Sequence, residues 1–363
     1  MPSRPYLTID LATVRRNVAQ LRGALPAAEI RYAVKANPAE PILRLLAGLD
    51  CTFDVASAGE IDLCAAAGIG GGSMTFGNPL KKPAEIAYAF AQGVRRFTFD
   101  TATGLEAIAA NAPGSSVECR IAPAFPSSVT PFGHKFGCLP EDAIGLLTEA
   151  ARLGLRADGV AFHVGSQQLD PTAWEIGIRC ALDIFNVAPG LTTLNLGGGI
   201  PISYDTHVPD IRVVGDAIGD ALARHFPMLP HVVIEPGRAI VGSAGTLSCE
   251  VVSVRTGTDG RRWVYLDVGR YGGLAETENE YIRYRLRTSR DGDPVDDAVV
   301  AGPTCDGDDV LYRRYPLPVT LQPGDLVEID AAGAYTTSYS SSFNGFEPLA
   351  TRFVEVDDAV TTR

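Results

Sequence analysis

From about residue 11 to about residue 230 the chain alternates between two hydrophobic periods, and that alternation limits the folds open to it more than any other feature. Stretches 11–25, 39–48, 58–67, 83–93, 102–110, 140–153, 173–185 and 213–225 carry apolar residues at three-to-four spacing, which predicts helices. Between them lie short apolar runs at 29–34, 52–55, 73–76, 96–99, 117–121, 159–163, 193–196 and 232–234, which predict strands. About eight strands separated by about eight helices predict a parallel sheet closed as a (β/α)8, TIM-like barrel, with an open doubly wound sheet as the runner-up.

After residue 240 the pattern changes. Runs at 247–256, 262–268, 298–301, 326–329 and 353–356 read as strands with turn residues between them and little helix. The expected organisation is a barrel over residues 10–235 and a C-terminal β-sandwich or barrel domain over 236–363. The strand-like opening run, 6–9, precedes the first barrel helix and is assigned to that β domain, together with the rest of residues 1–9.

Composition narrows the function classes. A net charge of −12 repels nucleic acid and anionic membrane, and no basic cluster reverses it. The five histidines are scattered, so no metal site is expected. Seven cysteines without a CxxC pair suit a reduced chain better than a disulfide framework. No signal-type or membrane-spanning apolar run is visible, so the expected location is cytoplasmic.

In a barrel, chemistry sits where strands end. Lys35, Asp54, Arg120, His163, Gly197–Gly199 and Glu235 all stand where a predicted strand stops. Each has a plain alternative. Lys35, before the turn signal Asn37-Pro38, reads either as a surface lysine or as an amine desolvated enough to attack a carbonyl and form a Schiff base. The triglycine is either a mobile turn or a close-approach site for an anion. Arg238 in EPGR (235–238) is a turn salt bridge or a bidentate phosphate partner. His163, followed by Gly-Ser, is a core histidine or a ring that stacks on a flat cofactor while Ser166 reaches a phosphate. A Schiff-base lysine, a phosphate cup and an acid in one barrel mouth together suggest pyridoxal phosphate.

Several motifs in order then carry a resemblance that runs nearly end to end: YAVKAN (32–37), FDVAS with Glu60 (53–60), KFG (135–137), HVGS (163–166), LGGGIP (196–201), EPGR, GPTCDGDD (302–309), GAYT (333–336) and FNGF (343–346). The chain resembles the fold-type III pyridoxal-phosphate decarboxylases of basic amino acids, the ornithine/lysine/diaminopimelate group. Within that group it is most similar to the bacterial ornithine or lysine/ornithine enzymes.

The resemblance implies roles. Lys35 holds pyridoxal 5'-phosphate as a Schiff base, Glu235 pairs with the pyridine nitrogen, and His163 stacks on the ring. Ser166, Gly198, Gly199, Gly237, Arg238 and Tyr335 hold the phosphate, while Asp54 and Arg120 support the site. Cys305 returns a proton after decarboxylation, and Asp306, Glu280 and Tyr271 meet the substrate. Cys305 and Asp306 reach a neighbouring subunit's barrel, which implies a homodimer with shared active sites. The implied reaction is L-ornithine to putrescine and CO2.

Two departures bear on the substrate. Glu280 replaces an Asp of the eukaryotic enzymes, and the segment 122–137, with Phe132-Gly133-His134 before KFG, is less polar than in relatives. The alternatives are the same chemistry on lysine, arginine, a D-amino acid or a secondary-metabolite intermediate. Alanine racemase shares the barrel and the lysine motif but has no Cys-Asp loop. A catalytically dead regulatory homologue would lack cofactor or proton-donor residues that are present here. A single-barrel cofactor carrier conflicts with the β-rich last third.

Overall fold

The computed structural model describes residues 5–126, 128–132, 135–188 and 190–356. In chain order the elements are β1 (Tyr6–Asp10), α1 (Leu11–Ala24), β2 (Ala28–Ala33), α2 (Glu40–Gly48), β3 (Thr52–Val55), α3 (Ala58–Ala66), β4 (Met74–Phe76), α4 (Pro83–Ala91), β5 (Arg96–Phe99), α5 (Ala102–Asn111), β6 (Ser116–Arg120), α6 (Pro140–Arg152), β7 (Arg156–Ala161), α7 (Ala173–Val187), β8 (Thr193–Asn195), α8 (Ile211–His225), β9 (His231–Ile234) and the single turn α9 (Arg238–Val241). Strands β10 (Gly245–Thr256), β11 (Arg262–Leu266), β12 (Leu286–Thr288), β13 (Val295–Ala301), β14 (Val310–Pro318), β15 (Leu326–Ile329) and β16 (Ala350–Val354) follow.

Strands β2 to β9 close into a parallel barrel in sequence order, the doubly wound alternative being excluded by the β2–β9 pairing. Both faces of these strands are covered, so β4 and β8 are buried at every position instead of alternating. Local chemistry starts the helices that separate them. Ser57 accepts from the Glu60 amide at 3.3 Å while the Glu60 carboxylate accepts from the Ala56 amide at 2.7 Å. Thr101 and Asp210 likewise accept the amides of Gly104 and Arg212 at the heads of α5 and α8.

The chain forms two compact units. One comprises Arg15–Pro201 and Val208–Gly237; the other comprises Met1–Val14, Ile202–His207 and Arg238–Arg363. The second is built on an eight-stranded mixed sheet, ordered β12-β15-β10-β11-β13-β14, with β1 antiparallel to β10 and parallel to β16. Strand β1 alternates, with Leu7 and Ile9 turned inward and fully buried.

Two strands of this sheet, β12 and β14, are absent from the sequence expectation. Strand β14 hides itself because Arg313 and Arg314 break its apolar alternation and it carries Pro316 and Pro318. In the barrel, β2 ends at Ala33 and β7 at Ala161, so Lys35 lies on a 3-10 turn and His163 on a loop.

Candidate active site

Within the barrel unit, the turn after β2 brings Lys35 to the end of β3. Lys35 Nζ lies 3.7 Å from Asp54 Oδ2. The lysine side chain is 49% exposed. Asp54 is buried; its Oδ1 has no hydrogen-bond partner among the described residues. Burial raises the pKa of Asp54, and Lys35 opposes that shift. A Cβ at Gly77 would stand 1.9 Å from that same oxygen, so only glycine fits beside it.

His163 follows β7 and faces this pair electrostatically. Its Nδ1 accepts the Gly165 amide at 3.0 Å, which places the remaining ring proton on Nε2. Burial, then the charges of Arg120 and Lys35, push its pKa well below the usual imidazole value, so the ring is neutral. The Phe132 ring lies 4.5 Å from it; Gly133 and His134, singled out in the sequence, lie outside the described residues. Arg120 ends β6, with the Phe136 ring of KFG 5.6 Å away. The amide of Gly137 (φ +97°) donates to Asp100 Oδ2 at 2.8 Å, and a Cβ there would stand 2.7 Å from that of Ala122.

Glu235 ends β9. Its side chain is 17% exposed, and one oxygen, Oε1, accepts from Asn195 Nδ2 at 2.6 Å. Burial first, then Asp54, push its pKa up to about 7, while Arg31 opposes the shift. The triglycine serves packing as well as approach. A Cβ at Gly197, Gly198 or Gly199 would meet the carbonyl oxygens of Phe162, Glu235 and Gly165 at 2.2, 2.7 and 2.3 Å respectively. Ser166 is tied to Thr130 by two backbone bonds, and the Ala33 amide donates to the Pro236 carbonyl just before Gly237.

The barrel also holds buried polar side chains that the sequence reading passed over. Lys81 Nζ donates to the carbonyls of Asn78 and Thr98, each at 2.5 Å, while burial pushes its pKa down to about 7. Arg31, Glu118 and Asn195 form a buried polar layer beneath Glu235. The available signal was a charge inside an otherwise apolar strand, as in IRYA and VECR.

The second unit carries the remaining residues. Arg238 is buried, with its fork closed on Glu276: Nη2 to Oε1 at 2.5 Å and Nη1 to Oε2 at 2.8 Å. Nη1 also donates to the Tyr204 hydroxyl at 2.5 Å, and the guanidinium sits 4.9 Å from the Tyr335 ring centre. Glu276 was not anticipated as the partner of this arginine. A buried guanidinium needs a carboxylate, and ETENE supplies it.

The loop GPTCDGDD is organised by Asp309, which accepts from the Arg270 amide at 2.8 Å and from the Thr304 hydroxyl at 2.7 Å. Cβ atoms at Gly269 or Gly302 would stand 2.1 and 2.3 Å from its carboxylate, which explains both glycines. Cys305 is exposed, its amide donating to Asn344 Oδ1 of FNGF at 3.0 Å. Asp306 accepts from the Tyr271 hydroxyl and the Asp308 amide, each at 2.8 Å, and these bonds, the amide first, hold its carboxyl below the usual value. A cavity of about 320 Å3 adjoins them, lined by Tyr271, Thr304, Phe343 and Phe346 among others. Glu280 is engaged elsewhere: it accepts from the Arg313 amide at 2.8 Å and pairs with Arg283 at 3.2 Å.

The barrel mouth thus offers a primary amine beside a carboxylate, a neutral ring face, and a half-buried acid whose pKa is raised to about 7. That donor set fits a flat, aldehyde-bearing heteroaromatic cofactor and defines a Schiff-base enzyme on a (β/α)8 barrel. Comparison with known proteins makes the class definite. Residues 11–242 match the family model of the pyridoxal binding domain of pyridoxal-dependent decarboxylases. The lysine/ornithine decarboxylase of Selenomonas ruminantium is 37% identical over 347 residues, covering 94% of this chain and 87% of the relative.

Among solved structures, the lysine/ornithine decarboxylase of Vibrio vulnificus complexed with cadaverine superposes with a TM-score of 0.88 at 32% identity, covering 97% of this chain and 94% of that one. The arginine decarboxylase of Paramecium bursaria Chlorella virus gives 0.90 at 28%, covering 97% and 96%. The chain belongs to the fold-type III pyridoxal-phosphate decarboxylases of the ornithine/lysine family. It is a pyridoxal-phosphate-dependent decarboxylase of basic amino acids.

Proposed function

We propose that the substrate is L-ornithine and that the products are putrescine and CO2. The observation that carries this reading is Asp306: an ionised carboxylate whose two hydrogen bonds come from neutral donors, held next to an exposed thiol on a braced loop. A diamino acid brings a distal ammonium, and an ammonium leaving water requires a carboxylate. The Selenomonas relative named for lysine and ornithine supports the same size class. Glu280, already paired with Arg283, contributes to the acidity of the region more than to direct contact.

The bound pyridoxal phosphate supplies the electron sink for the pair left on the α-carbon when CO2 departs. Lys35 Nζ is the attachment point. Glu235 would present its remaining carboxylate oxygen to the pyridine nitrogen and hold a proton there, which would strengthen the sink. The neutral ring of His163 provides a flat face that does not repel a protonated heterocycle. Gly198, Gly199, Ser166 and Gly237 would hold the phosphate, and Asp54 and Arg120 would set the field around Lys35. Cys305 delivers a proton from Sγ to the α-carbon, and Tyr271 orients Asp306.

A panel of basic amino acids assayed for CO2 release tests the substrate. Ornithine is expected to give the highest kcat/KM, and a clear preference for lysine, arginine or a D-isomer would replace this assignment. Asp306→Asn is expected to raise KM for ornithine by about 10- to 100-fold, the worth of one charge-assisted hydrogen bond, with a smaller change in kcat. An unchanged KM would remove Asp306 from the substrate site.

We also propose a homodimer in which Cys305 and Asp306 of each subunit complete the barrel of the other. An exposed cysteine followed by a half-buried acid on one unit suits this arrangement. Inactive Lys35→Ala and Cys305→Ala chains, mixed in equal amounts and allowed to exchange, should recover about a quarter of wild-type activity, because half the dimers then carry one intact site of two. No recovery after verified exchange would mean that each site is built from one chain.

A further inference from the structure

Arg31, Glu118 and Asn195 come from β2, β6 and β8, and β2 and β6 are four strands apart in an eight-strand ring. Their side chains therefore meet across the barrel interior, where branched apolar residues are the norm. Arg31 Nη1 donates to both oxygens of Glu118, at 3.0 and 3.2 Å, and lies 3.6 Å from Glu235 Oε1. Arg31 is 1% exposed. A charge buried this deeply is tolerable only when paired, and Glu118 pairs it.

Asn195 joins this ion pair to the mouth of the barrel. Its amide nitrogen has two protons, and both are used: one toward Glu118 Oε2 at 2.9 Å, the other toward Glu235 Oε1 at 2.6 Å. Its carbonyl oxygen accepts the Gly197 amide at 2.9 Å. The Gly197 carbonyl in turn accepts the Glu235 amide at 2.7 Å. Turning the amide over would aim its oxygen at two carboxylates, so its orientation is set. Glu235 is thus gripped at its backbone through Gly197 and at its side chain through Asn195.

We infer that Asn195, backed by the Arg31–Glu118 ion pair, is a positioning residue for Glu235, fixing one carboxylate oxygen so that the other is presented to the pyridine nitrogen. This rests on the reading of Glu235 as the partner of that nitrogen. Asn195 presents two N–H donors where an aspartate would present a third negative charge between two carboxylates. Such a charge would drive Glu235 toward its protonated form and weaken its hold on a protonated ring nitrogen.

The test is a double-mutant cycle on the full chain, stripped of cofactor and titrated with pyridoxal phosphate between about pH 6 and 9. Asn195→Asp is expected to weaken cofactor binding about tenfold or more near neutrality and to move the onset of tight binding up by about one pH unit. On a Glu235→Gln background the same substitution should change affinity less than about twofold. Equal losses on both backgrounds, or none on either, would overturn the inference, since a purely structural asparagine does not act through Glu235. A Glu235→Gln chain with wild-type affinity and pH profile would instead remove the Glu235 assignment beneath it. Should Asn195→Asp not fold, Asn195→Ser deletes both donated bonds without adding charge and is judged by the same comparison.

Discussion

Lys35→Ala is expected to yield a chain that no longer carries its cofactor covalently. After gel filtration the protein should lack the yellow absorption of wild type, and borohydride treatment should add no cofactor mass. Turnover should fall to about one part in 10⁴ or less, the upper range for a positioned group that bonds to and transfers protons with the reacting centre. A buried amine elsewhere in the barrel is Lys81, electrostatically close to Asp54. Its Nζ protons are committed to the carbonyls of Asn78 and Thr98. Lys35 Nζ, by contrast, is half-exposed and opposed by the Asp54 carboxylate at 3.7 Å. Lys81→Met should therefore keep the covalent adduct. An adduct that survives Lys35→Ala and disappears with Lys81→Met would transfer the anchoring role to Lys81.

The sequence shows a lysine at a strand end but not how it is solvated. The structure adds that Lys35 stands on the 3-10 turn Val34–Ala36, between two buried residues, and beside Asp54. The barrel was readable because parallel strands buried on both faces appear as continuous apolar runs, each followed by a stretch of helical periodicity. Strand β14 was not, because its outward arginines and two prolines erase the alternation on which a strand reading depends. Strand-end residues such as Asp54, His163 and Glu235 were readable one at a time.

Their partners were not readable. Arg31 and Glu118 are 87 residues apart, and a lone charge in a strand usually turns outward; only ring closure makes them neighbours. Glu276, 38 residues from Arg238, was hidden in an acidic stretch where any of three glutamates offered the same charge.

Glu235→Gln is expected to slow turnover by about 10²- to 10³-fold, the usual loss when one preorganised electrostatic partner of the reacting system is removed. It should also change how stability depends on pH, even with no cofactor bound. In the folded chain the Glu235 carboxyl titrates at about 7, raised from 4.5 chiefly by burial and then by Asp54. Between these two values the native state binds more protons than the unfolded state, so stability falls as pH rises. The penalty, about 3 kcal/mol, is absent below the unfolded value and fully present above the folded one. Urea melts of cofactor-stripped wild type and Glu235→Gln at acid and mildly alkaline pH measure it. The difference between the two proteins should change by that amount in favour of the glutamine as pH rises, while Asp54 and Glu60, whose pKa values burial also raises, contribute to both. Parallel curves would mean that Glu235 is already ionised in the native chain at acid pH, its charge met by Arg31 and Asn195. The proton near its oxygen would then be supplied by the cofactor's nitrogen and not shared with it.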